Sequence, residues 1–426
     1  MKRLRLFALA LACALGAGFG TALADDQKPV TIEYWHVNTE SFGGPAVREL
    51  VAMFQQKYPG ITVEEHFQPN TYTGLLENLQ TRIAAKNPPD VSQIGYLYVD
   101  YVVKNFPYVP VGDLLGAQQT AFLANFPKSV ERLGTRNGKL VGMPYALSNI
   151  LTYYNADMLK AAGLNPDSPP QTWDEWAKAA TVIKQKTGKP GIYIQVLDDN
   201  WSTQSMIESA GGRMLQCSGG QWKAVFDSPK AAAGIQFWSD QVKNGNALNV
   251  LWNQGEQAFL AGQVATFVTT IGKRNNLQKN ATFDLRGTTF PTFAGSPARL
   301  PGGGNVLMVF SQDPAKRDAA LKFIQFLESP EAFAVWTKGT GYIPINNDER
   351  PLGDFLKSNP IERIAIKQTA DTVPWTSFPG KNGLAAQQAL FNALQRSLAG
   401  QATAADALHD AANTVNGLIA GESCTP

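Results

Sequence analysis

The 426 residues contain only three histidines and three cysteines. His36, His66 and His409 are dispersed, and Cys13, Cys217 and Cys424 form no C-x-x-C pair. That excludes a zinc ribbon, a dithiol redox motif and an H-E-x-x-H metal helix. No G-x-S-x-G nucleophile elbow occurs. Charged residues make up 17%, and 37 Lys and Arg nearly cancel 35 Asp and Glu. The footprint of an electrostatic nucleic-acid binder is therefore missing. Beyond the N-terminus, no segment approaches the roughly 20 apolar residues of a membrane span. What is plentiful is apolar content, 44%, with 38 Gly and 26 Pro. This is a globular composition, and the length favours two cores over one.

Lys2, Arg3 and Arg5 precede an uncharged stretch rich in Ala, Leu and Gly, and Ala22-Leu23-Ala24 stands before Asp25-Asp26. A basic start, a short apolar run and an A-x-A site describe a secretory signal peptide over residues 1–24, cleaved after Ala24. Export to the periplasm is the expectation; a retained anchor is the competing reading. Without the leader's three cations the two signs balance to within one charge. Cys217 and Cys424 then enter a compartment that permits disulfides. They can pair or remain as two buried thiols.

From residue 30 the pattern alternates between strand and helix. Residues 30–37 are β-rich, and Val47, Leu50, Val51 and Phe54 recur at helical spacing until Pro59-Gly60. Residues 61–67 alternate, a second apolar-periodic helix follows, and residues 91–94 form a short strand. Such alternation predicts parallel βαβ units with helices on both sheet faces. Asn137-Gly138 signals a type I′ hairpin. Thr172-Trp173-Asp174-Glu175 has capping-box spacing, and Ser329-Pro330-Glu331 starts another helix. Ala404, Leu408, Ala411, Val415 and Leu418 form one stripe of a terminal helix. Residues 143–153, 288–293 and 340–347 are extended and punctuated by Pro or Gly. Three such connections between βα blocks predict two discontinuous lobes with three hinge crossings.

Several stretches carry a family resemblance: Tyr34-Trp35-His36, Asn137-Gly138-Lys139-Leu140-Val141-Gly142-Met143-Pro144-Tyr145, Tyr153-Tyr154-Asn155, Ala161-Ala162-Gly163-Leu164-Asn165-Pro166, Pro169-Pro170-Gln171-Thr172-Trp173, Gly302-Gly303-Gly304 and Thr340-Gly341-Tyr342-Ile343-Pro344-Ile345. In this order they resemble the extracellular solute-binding proteins of ABC importers, in the maltose-binding-type group (family 1), with the glycerol-3-phosphate-binding branch nearest. The resemblance spans nearly the whole chain beyond the leader. It implies an α/β, two-lobe periplasmic-binding-protein fold, each lobe a βα-layered sheet, with solute enclosed between them. The expected lobes are 25–143 with 290–342, and 144–289 with 343–426.

The same resemblance implies that solute is held by Tyr72, Tyr96, Ser148, Trp201, Thr270, Gly303 and Tyr342. Tyr96 stands where the branch commonly has an acid. His36 is a further candidate at the cleft edge, with Trp35, Tyr34 and Trp375 as weaker ones. The branch's anion-binding arginine has no counterpart in residues 374–384, where Lys381 is the only base, and a lysine lacks the bidentate fork that suits phosphate.

The expected function is capture of a sugar or polyol for a membrane permease. Glycerol 3-phosphate or a glycerophosphodiester such as glycerophosphocholine is the alternative. A secreted glycoside hydrolase is the remote one. For the hydrolase, Asp198-Asp199 and Glu64-Glu65 would have to supply the two carboxylates, but adjacent side chains diverge and read as solvated surface charge. The expectation is a monomer that is not an enzyme and uses no cofactor, metal or nucleic acid.

Overall fold

The computed structural model describes residues 29–346, 348 and 350–424. The leader expected over residues 1–24, with Cys13, lies outside them. Strand β1 (Val30–His36) leads through α1 (Gly44–Lys57) to β2 (Ile61–Phe67), and α2 (Thr71–Ala84) leads to β3 (Val91–Gly95). These strands pair in parallel, as the alternation predicts. The helical stripe Val47, Leu50, Val51 and Phe54 is buried against the sheet. Phe67, the last residue of the edge strand β2, is 45% exposed, whereas Val63 on the same face is buried.

After the Asn137-Gly138 turn, whose residues both take the positive φ of a type I′ turn, come β4 (Met143–Ser148) and β5 (Ile150–Asn155). They enter different sheets. β4 is the far edge of a five-stranded sheet ordered β2-β1-β3-β8-β4, where β8 is Gly303–Val309 and runs antiparallel to β3 and β4. β5 centres a three-stranded sheet between β6 (Thr266–Thr270) and β7 (Leu285–Thr288). Both pairs in that sheet are antiparallel, which departs from the parallel expectation. The parallel character survives beside it in the bridge Ile194↔Val268.

Between β5 and β6 in the chain come α3 (Trp173–Thr187) and α4 (Trp201–Ser209); farther on come α5 (Pro330–Thr340), α6 (Gly383–Leu398) and α7 (Ala404–Leu418). Thr172 forms the capping box that its spacing predicts, and Ser329 caps α5. Only Asn149 separates β4 from β5. Its carbonyl accepts from the Ile271 amide, 3.1 Å, and its side chain donates to the Ala365 carbonyl, 2.6 Å. The return from β7 to β8 is held where Gln368 Oε1 accepts from the Phe290 amide, 2.6 Å, while its Nε2 donates to the Ile150 carbonyl, 3.1 Å. The third connection follows α5, and there the Ile343 amide donates to the Leu147 carbonyl, 2.8 Å. The second and third connections are thus each tied to the first by hydrogen bonds, the second through Gln368.

Candidate functional site

A cavity of about 40 Å³ lies between the two sheets. The five-stranded side contributes Val37 after β1, Thr71 and Tyr72 at the start of α2, and Gly303 and Gly304 of β8; Thr270 ends β6 opposite them. Six of the expected residues meet here: Tyr72, Ser148, Trp201, Thr270, Gly303 and Tyr342, with Trp375 beside them.

Each of the six is held by its own chemistry. Asn70 and Thr71 both take left-handed φ, of 59° and 55°, to turn the chain into α2. Tyr72 is thereby directed inward, and its hydroxyl accepts from Asn305 Nδ2 at 2.9 Å. The Trp201 indole donates to the Pro301 carbonyl, 2.7 Å, and lies 6.0 Å from the Trp375 ring at 46°. Gly303 has to be a glycine here. A Cβ would stand 2.7 Å from both Ser148 Oγ and Trp201 Cζ2. Thr270 turns its hydroxyl to the Gly272 amide, 3.0 Å. Tyr342 stacks on Trp336 with ring centroids 5.3 Å apart and planes nearly parallel, 5°. All these aromatic side chains are buried.

Three expected residues are placed elsewhere. Tyr96 is buried but does not line the cavity, because the turn after β3 points it into the core, where its hydroxyl has no partner among the described residues. His36 is engaged by Glu65, and its Nδ1 accepts from the Asn38 amide at 3.1 Å, so the ring anchors the end of β1. Lys381 is exposed in the turn before α6. Tyr34 and Trp35 are core residues.

Other lining residues were not legible as site residues. Phe42 and Trp252 meet edge to face at 5.4 Å. Neither carries a local motif, and only the fold brings them together. Gln195 and Leu197 arrive with the segment before α4. The plainest correction concerns Asp199. Its adjacency to Asp198 reads as solvated charge, yet it is 5% exposed and lines the cavity. Its Oδ1 accepts from the Trp201 amide at 3.0 Å. Burial, with Asp198 adding to it, pushes this acid up to about 7.

The described residues hold no cluster of His, Cys, Asp and Glu that could bind a metal, and no helix among them is long and apolar enough to cross a membrane. Among the lining residues none is a lysine or arginine. The chemistry offered is aromatic faces, hydroxyl and amide groups and one carboxyl.

Residues 49–362 match the family of bacterial extracellular solute-binding proteins. The chain belongs to this family. Over 395 residues this solute-binding protein is 27% identical to the sn-glycerol-3-phosphate-binding periplasmic protein UgpB of Escherichia coli O6:K15:H31 (strain 536), covering 88% of this chain and 87% of that one. UgpB from Mycobacterium tuberculosis in complex with glycerophosphocholine superposes with a TM-score of 0.81 at 22% identity, over 91% of this chain and 98% of the other. Maltose-bound MalE3 of T. maritima gives 0.81 at 23% identity, over 91% and 100%. The fold is therefore the two-lobe fold of periplasmic binding proteins, and the cavity lies where two layered sheets face each other. At the level of the family the role is binding and transport, not catalysis.

Proposed function

We propose that this protein captures a neutral sugar or polyol between its lobes and delivers it to the permease of an ABC importer. The observation that carries the solute class is the cavity lining: aromatic rings and hydrogen-bonding groups with no basic side chain. Aromatic faces stack on sugar C–H surfaces, and a few convergent polar groups orient the hydroxyls. Lys381, the only base in residues 374–384, is exposed and does not line the cavity, which favours a neutral solute. A glycerophosphodiester such as glycerophosphocholine is the second reading. It is favoured by the likeness to the M. tuberculosis UgpB structure in complex with glycerophosphocholine, by its single negative charge, and by rings that can receive a quaternary ammonium. Free glycerol 3-phosphate suits the lining least.

In this reading the lobes are 25–143 with 290–342, and 144–289 with 343–426. They turn about the three connections, and the protein acts as a periplasmic monomer whose leader is removed after Ala24. The candidate solute contacts are Tyr72, Ser148, Trp201, Thr270, Gly303 and Tyr342. Calorimetry with maltose, glycerophosphocholine and glycerol 3-phosphate tests the reading. Response to maltose or another neutral sugar supports it; tight binding of glycerol 3-phosphate with no response to sugars defeats it.

A further inference from the structure

Asp199 is the one carboxyl in the cavity lining, and the solute reading above gives it no task. Its loop is tightly held. Asn200 takes a left-handed φ of 56° and donates through Nδ2 to the Gln387 carbonyl, 2.8 Å, while Gln387 Nε2 donates to the Asp198 carbonyl, 3.1 Å. Helix α6 therefore clamps the segment on both sides of Asp199. The Trp201 amide occupies Oδ1. Among the described residues no protein donor bonds Oδ2, which leaves it open to a donor from solute or water in the cavity.

The charged and titratable groups around it are few. Asp198 is adjacent, with Oδ1 accepting from Thr73 Oγ1 at 3.4 Å, and Glu77 of α2 lies beyond it. The phenols of Tyr72 of α2 and Tyr98, in the turn that follows β3, lie near enough to feel the charge of the same acid. Burial keeps both phenols neutral, since it raises them further above their usual range. No cation from either side offsets the carboxylate. An acid in this setting holds its proton near neutral pH unless a donor replaces it.

We propose that Asp199 is the solute-selecting group of the cleft: a ligand that donates hydroxyl or cationic hydrogens to its carboxylate displaces the carboxyl proton to solvent, whereas an anionic ligand is repelled. This rests on the solute reading above and deepens it. Capture is then linked to a proton. Affinity for a neutral or cationic solute rises with pH until Asp199 is fully ionised. If only the ionised form binds, the apparent affinity follows the ionised fraction, about 30-fold between pH 5.5 and 8.5.

The test is calorimetric titration of the full protein with maltose, glycerophosphocholine and glycerol 3-phosphate at pH 5.5 and 8.5, repeated with Asp199→Asn. Asparagine keeps the acceptor for the Trp201 amide, so the loop stays folded. For the wild type, a maltose or glycerophosphocholine affinity at least tenfold tighter at pH 8.5, with a proton released at pH 5.5, is expected. Asp199→Asn should lose that pH dependence and bind at least tenfold more weakly at pH 8.5. It should also bind glycerol 3-phosphate better than the wild type does at that pH. Wild-type binding of maltose or glycerophosphocholine without pH dependence overturns this inference and leaves the solute reading standing. So does an Asp199→Asn protein with an unchanged profile. Failure of all three solutes to bind overturns both.

Discussion

Trp201 and Asp199 sit two positions apart and show how far a residue's role depends on what the fold puts over it. Trp201 is fully enclosed, with its indole N–H satisfied by Pro301 and its ring against Trp375 and Gly303. It is therefore a packing residue as well as a wall of the cavity. Trp201→Ala is expected to lower ligand-free stability by about 3–5 kcal/mol, as for other buried tryptophans, and to weaken solute binding by about 1–3 kcal/mol. Chemical denaturation and calorimetry measure the two. Unchanged ligand-free stability would contradict the enclosed position. Asp199 makes a prediction without any ligand. Its folded-state value, about 7, lies above that of an unfolded aspartate. The folded protein thus holds a proton that the unfolded chain gives up from about pH 4 upward, and stability falls as pH rises toward 7. At pH 8 the cost is on the order of 2–4 kcal/mol. Asp199→Asn should raise the melting temperature at pH 8 and leave it unchanged near pH 4. A melting temperature unaffected at both would contradict the buried setting.

Among the elements, α4 is the one whose sequence misleads. Trp-Ser-Thr-Gln-Ser-Met-Ile-Glu-Ser has no apolar stripe, yet all nine residues are buried. Most of its polar groups find partners, several of them outside the helix, although Thr203 Oγ1 has none among the described residues. Gln204 Nε2 donates to the Pro374 carbonyl, 2.9 Å, and its Oε1 accepts from the Thr376 amide, 2.9 Å, which holds Trp375 at the cavity. Glu208 accepts from Arg299 Nε at 3.0 Å. Burial of such a helix is tolerable only because these partners exist. Elsewhere the local rules decided correctly. The Thr172 capping box, the Asn137-Gly138 turn and the Ser329 cap all form as their spacing predicts, because each is closed by groups within four residues. The C-terminal segment depends on distant chain. The hairpin Leu215–Ser218 with Gln221–Ala224 receives residues 422–424 along its edge, and Cys217 is joined to Cys424 with Cα atoms 5.8 Å apart. The bond closes a loop of 207 residues. Replacing both cysteines by serine should cost about 2–4 kcal/mol of stability. Solute affinity should not move, because neither cysteine lines the cavity. Free thiols detected in the native, oxidised protein would contradict the pairing.

For the whole molecule the size of the cavity is the telling quantity. About 40 Å³ admits no more than a few water molecules, so under the proposed function a sugar would enter as the lobes part. Lys273 shows what parting would disturb. Its ammonium bonds Glu256 at 2.7 Å and lies over both the Trp252 ring, at 4.4 Å, and the Phe42 ring, at 5.4 Å. Phe42 follows β1, whereas the other partners precede β6, so this cluster bridges segments from the two sides. Solute that touches both sides only when they are together supplies the differential affinity that closure needs. Small-angle scattering should show the radius of gyration falling on addition of a saturating ligand. An unchanged radius would count against rotation about the three connections, unless the free protein is already closed in solution.

The amino-acid sequence by itself determined the parallel β1–β2–β3 unit, the helix ends, the turn at Asn137-Gly138 and the membership of a two-lobe binding family, because periodicity, caps and turn residues act over a few positions. It also marked six of the cavity's residues by their likeness to a family pattern. The environment around those residues was decided only by tertiary structure. Tyr96, His36 and Lys381 carry suitable chemistry at plausible places, and the fold turns each away from the cavity. Asp199 and Trp252 carry no motif and are brought to it. His36 and Tyr96 are set by nearer neighbours, whereas the walls of the cavity meet through contacts between segments a hundred or more residues apart, such as Tyr72 with Asn305, Trp201 with Pro301 and Phe42 with Trp252. Those contacts form only when the two sheets face each other, and no window along the chain contains them.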